Sequence, residues 1–156
     1  MAKHQSGFRN GRRTSDNIVF FSQKVTEAFN RGKKILSHFD IEAAFDAVWY
    51  DGLVFKMITM KVPTYIIVWV YNFLQNRSFD VKVGDSISSK AKIVTGVPQG
   101  SRISPILFSI FINDIPAPFE NNKCYSLLFA DDLNIFFVFK KPGNLHAQVN
   151  KVLKQI

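Results

Sequence analysis

Two apolar runs, Tyr125 to Ala130 and Leu133 to Phe139, stand with only Asp131 and Asp132 between them. Runs of this length rich in Phe, Leu, Val and Tyr read as strands. A two-residue gap joins strands only as an antiparallel hairpin, because a parallel pair needs a crossover of a dozen residues or more. Ile35 to Asp40 alternates in the same way, with Ile35, Ser37 and Phe39 on one face. Strands beside helical periods read as α+β; periodicity alone leaves open whether residues 35–40 join residues 125–139 in one sheet.

Helical periods fill most of the remainder. Ser15 or Asp16 is placed to cap a helix carrying Ile18, Phe21, Val25 and Phe29, and Gly32 is its stop signal. Asp51 opens a second helix through Met57. Pro63 suits the first turn of a third, which carries Tyr65, Ile66, Trp69, Phe73 and Leu74. The period then changes to two at Phe79, Val81 and Val83, with a turn at Gly84–Asp85 and a return strand at Ile93–Val94. After a loop from Gly96 to Gly100, Ser104 reads as a helix cap with Pro105 in the first helical position. The Ile106–Ile112 stretch is apolar nearly all round, so that helix should be buried. Leu145, Val149, Val152 or Leu153, and Ile156 mark a last helix.

The net charge of +8 and pI near 9.7 favour a polyanionic partner. Residues 1–34 carry six of those eight net charges. A single cysteine, Cys124, excludes an intrachain disulfide or a cysteine-rich zinc site. No apolar run is long enough to span a bilayer, and no hydrophobic segment follows Met1, so an intracellular protein of the nucleus or cytoplasm, without a targeting signal in this stretch, is expected. His4, His38 and His146 form no ligand spacing.

Carboxylates at the ends of apolar strands carry the chemistry. An Asp there is costly unless solvated, paired or bound to a cation. Taken singly, Asp40 is a solvated strand end and Asp131–Asp132 a turn. If the strand ends meet in one sheet, the three form an oxygen-ligand site suited to Mg²⁺. Periodicity does not decide between these readings.

The surrounding residues carry a resemblance. Gln5-Ser6-Gly7-Phe8-Arg9, followed by Gly11-Arg12-Arg13-Thr14-Ser15-Asp16, resembles a segment of non-LTR retrotransposon reverse transcriptases. Phe39-Asp40-Ile41-Glu42-Ala43-Ala44-Phe45-Asp46 is similar to their motif A. Thr95-Gly96-Val97-Pro98-Gln99-Gly100-Ser101-Arg102-Ile103-Ser104-Pro105 is similar to motif B, and Phe129-Ala130-Asp131-Asp132 to motif C. Together, in this order, they resemble the jockey-like branch of that family over most of the chain. Arg13 departs from the pattern, where a small hydroxyl residue is commoner before the threonine.

The resemblance implies an α+β right-hand polymerase palm, with a small antiparallel sheet from residues 35–40 and 125–139 and helices on one face, plus part of the fingers: residues 1–34 fingers, 35–62 palm, 63–94 a return to the fingers, and 95–156 palm. It implies an RNA-directed DNA polymerase acting on an RNA template, a DNA primer and deoxynucleoside triphosphates, with no membrane partner. Two Mg²⁺ ions, with Mn²⁺ as the alternative, would be held by Asp40 and Asp131, assisted by Asp132 and the Ile41 carbonyl. Phe45 would lie under the sugar of the incoming nucleotide and exclude a 2′-hydroxyl; read without the family, it is a core residue. Gln99 would contact the nucleotide, and Gly100 would allow close backbone approach. Arg9, Arg12 and Arg13, with Arg31, Lys33 and Lys34, would meet backbone phosphates, and Phe129 would pack under the primer end.

The resemblance starts partway through the fingers and stops in the helix after motif C, ahead of the thumb. An isolated chain of this extent is expected to extend primers poorly and to bind nucleic acid weakly, and a catalytically inactive retroelement relic is the second reading. A palm-fold nucleotide cyclase is a third, disfavoured by Phe45 and by the Pro98-Gln99-Gly100 loop.

Overall fold

The computed structural model describes residues 6–7, 10–37, 43–115, 124–141 and 145–153. The chain divides into two compact units, Met1–Glu42 with Ile112–Ile156, and Ala43–Phe111.

The first unit is built on a three-stranded antiparallel sheet. Its strands are β1 (Lys34–Ser37), β6 (Cys124–Phe129) and β7 (Asp132–Phe139), in the order β1-β7-β6. Hairpin register pairs Phe129 with Asp132 and Cys124 with Phe137, and β1 pairs Ser37 with Phe136. The expected hairpin and its antiparallel third strand are both present, although residues 38–42 lie outside the described ones. β7 sits in the middle, and Leu133, Ile135, Phe136 and Phe137 are all buried. That explains why its sequence reads as a nearly continuous apolar run: a central strand covered on both faces has no polar side to alternate.

Helix α1 (Thr14–Asn30) packs on the sheet face that carries Tyr125 and Phe136. The Phe21 ring meets Phe136 edge-on at 5.2 Å between centroids, and Phe20 meets Tyr125 at 6.2 Å. The Lys24 ammonium lies 5.2 Å from the Tyr125 ring centre, a cation–π contact that lets a lysine sit in the packed stripe. The stripe is therefore Phe20, Phe21, Lys24 and Ala28. Of the expected Ile18, Phe21, Val25 and Phe29, Phe21 packs and Val25 is half-buried, but Ile18 and Phe29 are exposed. The helix also starts two or three residues earlier than a Ser15 or Asp16 cap would place it. Arg13 occupies the cap position and its N–H donates to the Asp16 carboxylate at 3.0 Å, so Asp16 serves in the first turn and not as the cap. Gly32 ends it as expected, with a left-handed φ of 61° and the Lys33 N–H returning to the Ala28 carbonyl. The last helix of this unit, α5, spans Leu145–Leu153.

The second unit packs α2 (Tyr50–Thr59) against α3 (Thr64–Leu74) and α4 (Ser104–Phe111). Its core is Val48, Leu53, Met57, Leu74, Val97 and Phe108, all fully buried. Each such side chain contributes about 1.5–3 kcal/mol relative to exposure. In α3 the buried residues are Ile67, Val70 and Leu74, while Tyr65 and Trp69 are exposed, contrary to expectation. The helix is apolar on every side, so its period does not single out an inner face. Pro63 stands just outside α3 as its cap residue, one position earlier than expected.

Between α3 and α4 the chain forms an exposed ribbon. β3 (Lys82–Val83) and β4 (Ser86–Ile87) close around Gly84–Asp85, the predicted turn. β2 (Ser78–Phe79) pairs with β5 (Ala91–Lys92), so the return strand comes before Ile93–Val94. The ladder breaks where the Ser88 hydroxyl accepts the Val81 N–H at 2.9 Å in place of a strand partner.

Candidate active site

Motif C is the tip of the β6–β7 hairpin. Ala130 and Asp131 form its two-residue loop, with Ala130 at φ 57°, and Asp132 begins β7. Both carboxylates are exposed, and neither has a hydrogen bond or ion pair to another described residue. Phe129 is half-buried beside them.

The tip is held from the N-terminal side. The Ser6 N–H donates to the Leu128 carbonyl at 2.8 Å, and the Ser6 hydroxyl donates to Asn17 Oδ1 at 2.9 Å. Asn17 Nδ2 completes the ring by donating to the same Leu128 carbonyl at 3.4 Å. Gly7 then passes so close that a Cβ there would lie 2.1 Å from the Ala130 nitrogen. Ser6, Gly7 and Asn17 were not singled out by the motif reading. The signal was a glycine inside the first motif segment, which fits a backbone-to-backbone approach.

Motif B docks on the turn that follows motif A. The Gly96 N–H donates to the Val48 carbonyl at 2.8 Å, and the Val97 N–H donates to the Phe45 carbonyl at 2.9 Å. Gly96 adopts φ 83°, and a Cβ there would fall 2.8 Å from the Asp46 Cα, so no larger residue fits. Two bonds and one close approach thus tie residues 96–97 to residues 45–48. Gln99 reaches back across the same junction, its Nε2 3.4 Å from Asp46 Oδ1. Gly100 has φ 82° and open space where a Cβ would stand.

Phe45 is half-buried and stacked on Phe108 of α4, 4.6 Å between centroids and 20° between planes. Ser104 does not cap α4. Its buried hydroxyl donates to the Pro98 carbonyl at 2.6 Å, and Ile103 accepts the first helical N–H groups, those of Ile106 and Leu107. The serine fixes the far end of the motif B loop instead.

Among the basic residues, Arg12 and Arg13 are exposed. Arg31 is engaged with Glu27 at 2.9 Å, and Lys24 with the same carboxylate at 3.1 Å; the Lys24 hydrogen bond and both charges hold the Glu27 carboxyl below its usual range. Asp40, Ile41 and Arg9 lie outside the described residues. Among the described residues no three acidic, histidine or cysteine side chains converge on a point. The two exposed carboxylates at the hairpin tip are hard oxygen donors, the donor type that suits Mg²⁺.

The family model described as reverse transcriptase (RNA-dependent DNA polymerase) matches residues 1–156. The chain belongs to that family. Among its relatives, the probable RNA-directed DNA polymerase from transposon BS of Drosophila melanogaster is 33% identical over 140 residues, covering 86% of this chain and 15% of the relative. The RNA-directed DNA polymerase from mobile element jockey, also of Drosophila melanogaster, is 38% identical over 117 residues, covering 73% of this chain and 12% of the relative. The chain therefore spans about a seventh of the length of these curated reverse transcriptases. A solved chain titled as part of a partial Cas6-RT-Cas1–Cas2 complex aligns with TM-score 0.39 at 26% identity, over 96% of this chain and 25% of that one. Among the described residues no helix is long and apolar enough to cross a membrane.

Proposed function

We propose that this reverse transcriptase segment carries the nucleotidyl-transfer centre of an RNA-directed DNA polymerase from a jockey-like non-LTR retrotransposon. It would add deoxynucleotides to a primer 3′-hydroxyl on an RNA template, inside the cell. In this reading residues 35–62 and 95–156 form the palm, and residues 1–34 and 63–94 belong to the fingers. The observation that carries it is the hairpin tip, where two solvent-facing carboxylates are presented on a turn whose backbone is pinned from a second segment.

Asp131 and Asp40 would hold Mg²⁺ or Mn²⁺, with Asp132 and the Ile41 carbonyl assisting. Two such ions, when bound, neutralise charge on the attacking and leaving oxygens of an in-line displacement. The protein's own part is positioning, which supplies much of the rate in phosphoryl transfer. Gln99, placed by a loop with both ends tied down, would orient the nucleotide, and Gly100 would leave room for it. Phe45 would lie under the sugar, its ring backed by Phe108 so that it does not swing aside to admit a 2′-hydroxyl. Arg9, Arg12 and Arg13 would meet template or primer phosphates, and Phe129 would pack beneath the primer end.

The test is primer extension on RNA by a full-length reading frame carrying this segment. Asp131→Asn should abolish extension while circular dichroism and nucleic-acid affinity stay unchanged, since an exposed Asp has little stake in stability. Asp132→Asn should reduce it less. Undiminished extension by Asp131→Asn would overturn the assignment.

A further inference from the structure

Arg77 lies just past the end of α3, and its guanidinium reaches the Thr95–Gly96 turn. One terminal nitrogen, Nη2, donates to the Gly96 carbonyl at 2.7 Å and the Tyr50 hydroxyl at 3.0 Å, and lies 3.4 Å from the Thr95 carbonyl. Tyr50, the buried first residue of α2, brings its own hydroxyl within 3.0 Å of the Thr95 carbonyl and 3.1 Å of the Gly96 carbonyl. A phenol has one proton, so Tyr50 donates to one carbonyl at a time while accepting from Arg77. Two consecutive carbonyls of the motif B loop are thus gripped by a charged donor from the loop after α3 and a phenol from the start of α2.

The grip sits at a sensitive place. Gly96 already spends its N–H on Val48 and has no room to shift toward Asp46. Three residues on, past the rigid Pro98, stands Gln99. Arg77 Nε is buried and, among the described residues, has no hydrogen-bond partner. A buried donor left unsatisfied is costly, and an arginine serving only solubility would not sit this way. Its placement suits the two carbonyls and leaves its own solvation incomplete.

We infer that Arg77 and Tyr50 are positioning residues that fix the Thr95–Gly96 turn and thereby hold Gln99 beside Asp46 to receive the nucleotide. This deepens, and rests on, the reading of Gln99 as a nucleotide contact. All the residues concerned lie in the second unit, and neither Arg77 nor Tyr50 touches substrate in this assignment.

The test uses the chain itself, with Arg77→Gln, Arg77→Lys, Tyr50→Phe and Gln99→Ala. Binding of dGTP with Mg²⁺ and hydrogen exchange at the Gly96 and Val97 amides are read on the same samples. Arg77→Gln should weaken dGTP binding and speed exchange at both amides by roughly tenfold, the scale of one charge-assisted hydrogen bond. Met57 and Val70 amides, in the helices, should keep their protection. Arg77→Lys should recover part of both losses. Unchanged exchange at Gly96 and Val97, or faster exchange with unchanged dGTP affinity while Gln99→Ala still weakens it, overturns the positioning role. If Arg77→Gln loses protection at Met57 and Val70 as well, Tyr50→Phe decides by the same two readouts, with a smaller effect expected and no effect overturning the role. If Gln99→Ala binds dGTP as the unchanged chain does, the nucleotide reading of Gln99 falls and the positioning role falls with it. Exchange at Gly96 and Val97 then still reports, separately, whether the Arg77–Tyr50 grip exists.

Discussion

Gly7 and Ala130 touch backbone to backbone, so that a methyl group on the Gly7 Cα would lie 2.1 Å from the Ala130 nitrogen and 2.8 Å from its Cα. The left-handed Ala130 is the residue that turns β6 into β7. The first motif segment and the motif C turn are therefore one piece of structure.

Gly7→Ala should be among the most damaging small substitutions in the chain. The obstacle is backbone on both sides, with no flexible side chain to yield. Overpacking of this kind costs about 1–3 kcal/mol, and the strain falls on the carboxylate turn. A clear drop in the urea midpoint is expected, with loss of primer extension in the full-length polymerase. A midpoint equal to that of the unchanged chain would show that the approach is looser than the geometry gives.

Phe45→Val should alter substrate choice. The Phe45 ring stacks on Phe108, and in the proposed reading its removal opens space under the sugar. Discrimination is a difference of affinities, so the quantity to measure is ribonucleotide over deoxynucleotide incorporation, which should rise severalfold. An unaltered ratio would return Phe45 to a packing role.

Arg12→Ala and Arg13→Ala should each weaken binding to single-stranded RNA and flatten its salt dependence. Each lost phosphate contact lowers the slope of log affinity against log salt by about 0.7. Arg13→Ala leaves the cap bond to Asp16 intact, because that bond uses the backbone N–H. Fluorescence anisotropy over a salt series is the measurement, and unchanged slopes would remove these residues from the interface.

Burial pushes the Cys124 thiol up to about 11, from an ordinary 9.0. The folded state thus holds this proton more tightly than the unfolded one. Its stabilising contribution is complete below about pH 9 and is lost as pH rises through 11. Comparing urea midpoints of the chain and Cys124→Ala from pH 8 to 11.5 isolates this part, since the alanine variant should lose less over the upper end. At pH 8 the native thiol should also resist alkylation until urea is added.

The hairpin at 124–139 was legible because two apolar runs two residues apart leave a single local solution. The α1 face was not. Ile18, Phe21, Val25 and Phe29 make as good a helical stripe as the one that packs, and the choice was made by Tyr125 and Phe136, a hundred residues away in sequence. Lys24 further disguised the true stripe, since its ammonium is accommodated by an aromatic face that periodicity does not register. In α3, apolar residues on all sides left nothing to distinguish an inner face. The motifs flagged Gln99, Phe45 and the paired aspartates by residue type. They could not flag Arg77 or Tyr50, whose part depends on carbonyl positions that exist only after folding. The family assignment rests on the match over residues 1–156.

The strand order β1-β7-β6 also has a consequence for how the chain leaves the ribosome. Among the described residues, 34–37 have their only strand partner in residues 136–139, about a hundred positions later. At typical elongation rates that is a wait of roughly 5–20 s. β6 is likewise without its neighbour until β7 is made. Lys34 to Ser37 therefore emerges early and unpaired, and the sheet closes in a single late event when its middle strand arrives. A nascent polypeptide halted before residue 132 holds α1 and both outer strands with nothing between them to join.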